Sequence, residues 1–175
     1  MPDNRDTRSL TERMQAEINN SVLVGIADIK LGRAPQVLKT NLGSCIAVCL
    51  YCADLGVGGM LHFMLDIPLP KEKDGFKKGK YAESGIPELI AQMKHRYSVE
   101  PHQLTAKIFG GARLLPTVTR NIGLDNDASA RRVLREFGIR IIASKTGGEK
   151  GYKVDFDLAT GKVRCQVFDE NVMEY

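Results

Sequence analysis

Three of the four cysteines in this chain, Cys45, Cys49 and Cys52, fall within eight residues of one another. Thiolates spaced C-x3-C-x2-C suit an iron–sulfur cluster, provided the sulfurs converge, normally from an irregular loop. The residues between them argue against convergence. Ile46-Ala47-Val48 and Leu50-Tyr51 are strand formers, and on a strand Cys45 and Cys49 share a face about 13 Å apart while Cys52 points to the other. The other chemistry open to a cysteine is nucleophilic. A hairpin of 45–51 with 56–62, across the four-residue loop Cys52-Ala53-Asp54-Leu55, would set Leu50 against Val57, Val48 against Gly59 and Ile46 against Leu61. On its opposite face Cys45 would lie directly across from His62, and such partners have Cβ atoms about 4.5–5.5 Å apart. A slip of one residue would carry His62 to the other face.

A cysteine and a histidine in this relation form a nucleophile and its base: the imidazole accepts the thiol proton and later returns a proton to a departing amine. The preceding Leu42-Gly43-Ser44 reads as a small-residue turn that leaves backbone N–H groups free, so the amides of Ser44 and Cys45 are candidate oxyanion donors. The same residues admit a structural reading, because a free cysteine is often a buried small hydrophobe with a packed histidine beside it. Spacing alone leaves both open. Cys49, Cys52 and Cys165 read as core or half-buried thiols. His95 and His102 have no metal-ligand spacing to each other or to cysteine, so no metal site is expected. Gly110-Gly111 and Gly147-Gly148 read as tight turns, since neither opens a helix with a phosphate-binding pattern.

The elements that would hold these residues follow from periodicity. Residues 1–20 read as an extension, a short, partly docked or frayed helix with a Ser9/Glu12 capping box and a thin stripe of Leu10, Met14 and Ile18. From Ser21 the texture turns to strands: 21–28, 36–40, 45–51 and 57–65. A lysine- and glycine-rich loop over 70–80 leads to a helix carrying Ile86, Leu89, Ile90, Met93 and Tyr97, with Pro87 in its first turn. A strand at 104–109 ends at Gly110-Gly111. A second helix over 127–137 has Val133, Leu134 and Phe137 as its apolar face, Asp127 as possible cap and Gly138 as stop. Strands follow at 139–143, 152–158 and 163–168. The sum is one α+β domain over 21–175 with about eight strands and two main helices.

Composition narrows the function. At 175 residues with 43% hydrophobic and 26% charged side chains, the chain suits one folded domain. A net charge of +4, 6% aromatic residues and no Trp give no case for a nucleic-acid partner. No apolar run approaches the roughly 20 residues of a membrane span, and the N-terminus lacks the apolar stretch of a secretory signal, so a cytoplasmic protein is expected. Lys71, Lys73, Lys77, Lys78 and Lys80 crowd one polar segment, ordinarily a solvated loop, with some affinity for an acidic protein partner.

The run Thr40-Asn41-Leu42-Gly43-Ser44-Cys45-Ile46-Ala47-Val48, followed by Gly58-Gly59-Met60-Leu61-His62-Phe63-Met64-Leu65, resembles the CheD family of chemoreceptor glutamine deamidases. The similarity continues through Ala106-Lys107-Ile108-Phe109-Gly110-Gly111-Ala112, Asn121-Ile122-Gly123 with Asn126, Gly147-Gly148 and Thr160-Gly161-Lys162, covering about 21–168. The resemblance implies a layered sandwich of mixed and antiparallel β-sheet with two main helices, a cysteine hydrolase fold. It also implies Cys45 as nucleophile, His62 as acid–base partner and Thr40 as the catalytic threonine before the cysteine; the small-residue turn itself sets Gly43 and Ser44 at the oxyanion or substrate side. The activity implied is hydrolysis of glutamine side chains on the cytoplasmic helices of methyl-accepting chemotaxis receptors, with no cofactor and with CheC-type phosphatases as regulators. Tyr152 departs from the arginine common after the position of Gly151, which bears on local partner contacts. The rival functions are a non-catalytic receptor- or CheC-binding adaptor and a receptor methylesterase.

Overall fold

A computed structural model describes residues 9–68, 77–115, 117 and 119–175. Most of the lysine-rich loop, with Lys71 and Lys73, lies outside these residues. In chain order the elements are α1 (Leu10–Asn20), β1 (Ser21–Leu23), β2 (Ile29–Arg33), β3 (Val37–Leu42), β4 (Ile46–Cys52), β5 (Val57–Phe63), α2 (Ala82–Tyr97), β6 (Thr105–Gly110), α3 (Ile122–Glu136), β7 (Arg140–Thr146), β8 (Tyr152–Asp157), β9 (Val163–Val167) and β10 (Met173–Glu174). The strands form two five-stranded sheets, ordered β1-β3-β8-β9-β10 and β2-β5-β4-β6-β7. Each is antiparallel apart from one parallel pair, β1 with β3 and β6 with β7. The expected α+β sandwich of mixed sheets is what the chain forms.

Alternation along β4 explains the layering. Ile46, Val48, Leu50 and Cys52 face a core shared with Ile86, Leu89, Ile90 and Met93 of α2 and Ala130, Val133 and Leu134 of α3. Ala47 and Cys49 face the other way, into a core between the sheets with Leu38, Met60, Phe109, Val154 and Phe156. A strand buried on both faces reads as a continuous apolar run, as 45–52 does. Each large aliphatic side chain so buried contributes roughly 1.5–3 kcal/mol. The order is therefore helices, central sheet, second sheet, and the three clustered thiols do not converge: Cys52 lies in one core and Cys49 in the other.

Several expected boundaries are corrected. The strand expected over 21–28 breaks after Leu23, because Asp28 N–H bonds to Gly25 O at 3.0 Å and Ala27 takes φ 63°, turning the chain from one sheet to the other. It resumes as β2, and both β2 and β10 are strands beyond those the sequence pattern predicts. The hairpin register also differs. The loop is Ala53-Asp54-Leu55-Gly56, where Gly56 supplies φ 60° and donates to Ala53 O at 3.3 Å. Shifting the loop by one residue moves every pair by two, so Leu50 meets Gly59, Val48 meets Leu61, Ile46 meets Phe63, and His62 lies opposite Ala47 rather than Cys45. Faces survive a two-residue shift, and Cys45 and His62 stay on the same side.

The helices begin earlier than expected. α2 starts at Ala82, which places Pro87 beyond the first turn. α3 starts at Ile122 with Asn121 as cap, its side chain accepting from Leu124 N–H at 3.1 Å; Asp127 instead pairs with Arg131. The first turns of α3 bury Gly123, Asn126 and Ala130, too small or too polar to register as an apolar stripe. The Ser9/Glu12 capping box forms, but Leu10, Met14 and Ile18 are 76%, 56% and 64% exposed, and α1 is held through Glu17 to Lys39 and Arg164.

Candidate functional site

The turn between β1 and β2 and strands β3, β4 and β5 bring the sequence-predicted residues together between the two sheets. Thr40 alternates with Leu38 and Leu42 on the inner face of β3, and His62 sits two residues after Met60 on the inner face of β5; Thr40 and His62 are each 3% exposed. Cys45 stands immediately before β4, half-buried against the same core. Its position two residues from Ala47 makes it the diagonal neighbour of His62, with Cβ atoms on the order of 7 Å apart, and thiol and imidazole share this face without a hydrogen bond between them.

The hydrogen bonds around His62 fix its tautomer. Thr40 has one hydroxyl proton and donates it to Val24 O at 2.8 Å. The Thr40 oxygen is left to accept from His62 Nδ1–H at 2.9 Å, and Val24 O, itself only an acceptor, lies 3.4 Å from the same nitrogen. Nδ1 therefore carries the proton and Nε2 presents its lone pair. Nε2 is buried and makes no hydrogen bond among the described residues. The main chain of His62 is held as well: Ala27 N–H donates to His62 O at 2.7 Å and His62 N–H to Asp28 O at 3.1 Å.

Burial sets the charge states. It pushes the Cys45 thiol above its ordinary range, with the residue's own backbone amide pulling partly back. It holds His62 below the usual imidazole value, against the Val24 carbonyl and the Asp28 carboxylate, which favour protonation. Asp28 is paired with Lys77, which keeps its carboxyl ionised below the ordinary range. Thiol and imidazole are thus both neutral at rest.

The turn before Cys45 is tied down through its carbonyls. Gly43 O accepts from Ala112 N–H at 2.9 Å, Ser44 O from the Asn126 side chain at 3.0 Å and Cys45 O from Gly111 N–H at 2.8 Å. No other described residue accepts a hydrogen bond from the amides of Ser44 and Cys45, and the Cys45 amide faces only its own thiol. Gly110-Gly111, read from sequence as an ordinary turn, is the brace: φ is 106° and 71°, and a Cβ on Gly110 would lie 2.3 Å from Cys45 O. Asn126 and the Val24 carbonyl were also missed as parts of the site. Only the motifs that contain Asn126 and Gly110-Gly111 carry any signal of it. Tyr152 is buried, with its hydroxyl on Gly147 O at 2.7 Å, so it serves the core and the adjacent turn. His95 and His102 lie on the surface away from these residues.

Fold and site together define a class: helices over two stacked mixed sheets, with a thiol, an imidazole and a threonine hydroxyl set between the sheets. The chain belongs to the CheD family, whose model, described as CheD chemotactic sensory transduction, matches residues 64–167. It is 39% identical over 153 residues to the probable chemoreceptor glutamine deamidase CheD of Desulforamulus reducens, covering 85% of this chain and 91% of that one. It is 34% identical over 142 residues to the chemoreceptor glutamine deamidase CheD of Thermotoga maritima, covering 81% and 88%. Among solved structures, the hypothetical protein YfiH of Bacillus licheniformis superposes with a TM-score of 0.49 at 14% identity, over 70% of this chain and 51% of that one.

Proposed function

We propose that this protein hydrolyses the side-chain amides of selected glutamines on the cytoplasmic helices of chemotaxis receptors, releasing ammonia and leaving glutamate. The kinship with named deamidases gives the substrate class. The observation that carries the chemistry is the tautomer lock on His62, which leaves Nε2 as an unpaired base on the face of Cys45. Cys45 Sγ attacks the carboxamide carbon as its proton passes to Nε2, and the amides of Ser44 and Cys45 receive the oxyanion. The tetrahedral intermediate collapses as His62 gives that proton to the departing ammonia. Water, deprotonated by the same nitrogen, then splits the thioester, giving the carboxylate and restoring the thiol. Thr40 keeps Nδ1 protonated throughout.

No helix among the described residues is long and apolar enough to cross a membrane, and the enzyme works at the cytoplasmic face where the receptor helices are. Residues 21–175 form the catalytic domain and 1–20 an extension to it, and a CheC-type phosphatase is the regulator. Incubation with receptor cytoplasmic fragments, followed by mass spectrometry, is expected to show a gain of about one mass unit per modified glutamine. Cys45→Ala abolishes it. Receptor binding without any mass change retires the enzyme in favour of an adaptor, and methanol release from methylated receptor would make it an esterase.

A further inference from the structure

Asn126 is fully buried in α3, far from Cys45 in sequence, and both of its donors are spent on main-chain carbonyls: Ser44 O at 3.0 Å and Met64 O at 2.9 Å. Because both partners are pure acceptors, only the NH2 end of the amide can face them. Its Oδ1 is buried with no hydrogen-bond partner among the described residues, so the side chain is held there for its donors alone. Ser44 O belongs to the peptide unit whose other end is the Cys45 N–H. In a planar trans peptide the N–H points opposite the C=O, so whatever fixes Ser44 O also aims the Cys45 amide. The second carbonyl, Met64 O, follows directly on the strand that carries His62.

We propose that Asn126 is a positioning residue for the reaction, aiming the Cys45 N–H at the developing oxyanion and joining the nucleophile turn to the end of the base's strand. This rests on the hydrolytic reading of the site and adds a residue to it. The amide of Ser44 is aimed in the same way by Ala112 N–H on Gly43 O at 2.9 Å, so the two donors have separate anchors. Removal of the Asn126 anchor weakens stabilisation of a tetrahedral intermediate without removing the thiol or its base.

The test compares two reactions of Cys45 that need no receptor. Acylation by p-nitrophenyl acetate passes through a tetrahedral oxyanion, whereas alkylation by iodoacetamide does not. In Asn126→Ala, acylation is expected to fall about 30-fold or more, with alkylation changed by no more than about threefold. A parallel loss of both would make Asn126 merely structural, and no loss of either would overturn the proposal outright. Asn126→Asp keeps the test open if the alanine variant does not fold. Its protonated carboxyl regains one donor, so the ratio of acylation to alkylation rises as pH falls; a ratio independent of pH overturns the proposal. Wild-type protein that acylates but leaves receptors unmodified would retire the substrate assignment and leave this inference standing.

Discussion

Thr40 Oγ1 lies 2.9 Å from His62 Nδ1 while giving its own proton to Val24 O. The hydroxyl therefore acts as an acceptor relay, with one sheet supplying the threonine and the other the histidine. Unlike a carboxylate in the same place, it fixes the ring's tautomer without adding negative charge.

Thr40→Val removes the acceptor and leaves Nδ1–H and Val24 O only their long 3.4 Å contact with each other. Turnover is expected to fall on the order of 100-fold, the low end of what a positioned acid–base group contributes. Unfolding free energy falls by about 1–3 kcal/mol for the weakly paired buried groups. Thr40→Ser keeps the hydroxyl and recovers most of the activity. If the valine and serine variants behave alike in steady-state kinetics, Thr40 has no role beyond packing.

The four free cysteines should separate cleanly by reactivity. Cys49 and Cys165 are buried, which drives both thiols upward, Cys165 to about 11, and Cys52 is fully covered by the helix-facing core. Titration of native protein with Ellman's reagent is expected to label Cys45 rapidly and the other three only after denaturation. In Cys45→Ala the rapid phase disappears, whereas Cys49→Ala retains it. A rapid phase surviving in Cys45→Ala would mean that a different thiol is the accessible one.

Much of this site is legible in the sequence, and what is hidden is hidden for physical reasons. Period-two patterning put Cys45 and His62 on one face correctly, because a two-residue register error preserves faces. It could not fix the register, which is set by the positive φ of Gly56 closing the loop one residue later. The helical stripe Ile86, Leu89, Ile90 and Met93 declared itself through large side chains that all turned out buried. The start of α3 did not, because Gly123 and Asn126 work by closeness and by hydrogen bonding. Asn126 was further concealed because its partners are main-chain carbonyls, invisible to any reading of residue types.

Burial raises the Cys45 thiol and lowers His62, so a thiolate–imidazolium pair does not accumulate at rest near neutrality. Alkylation of Cys45 is expected to climb steadily above pH 8, with no plateau between pH 5 and 7. A plateau there would show a resting ion pair. His62 also makes a linked contribution to stability. Its folded pKa lies below the unfolded value of about 6.5, so between those two values the unfolded chain binds more protons and stability rises with pH. That contribution is fully present above about 6.5 and is lost as pH falls through the folded pKa. Denaturant midpoints of wild type and His62→Gln should converge on the acid side and part above it.

The brace behind Cys45 predicts a difference between two glycines of the α3 region. A Cβ on Gly123 would lie 2.1 Å from Gly111 O and 3.0 Å from Ala112 O, both main-chain atoms that cannot rotate away. Gly111 and Ala112 hold Cys45 O and Gly43 O, so the displacement that relieves Gly123→Ala must move the nucleophile turn. Gly138, after the end of α3, has φ 69° and nothing within 4 Å of its added Cβ. Gly138→Ala carries only the left-handed backbone penalty of about 1–2 kcal/mol, whereas Gly123→Ala, at a helical position without that penalty, carries overpacking of about 1–3 kcal/mol. Both are expected to melt earlier than wild type, and only Gly123→Ala to acylate slowly with p-nitrophenyl acetate while still folded. Equal acylation rates in the two variants would show that the α3 N-terminus supports the fold without setting the position of Cys45.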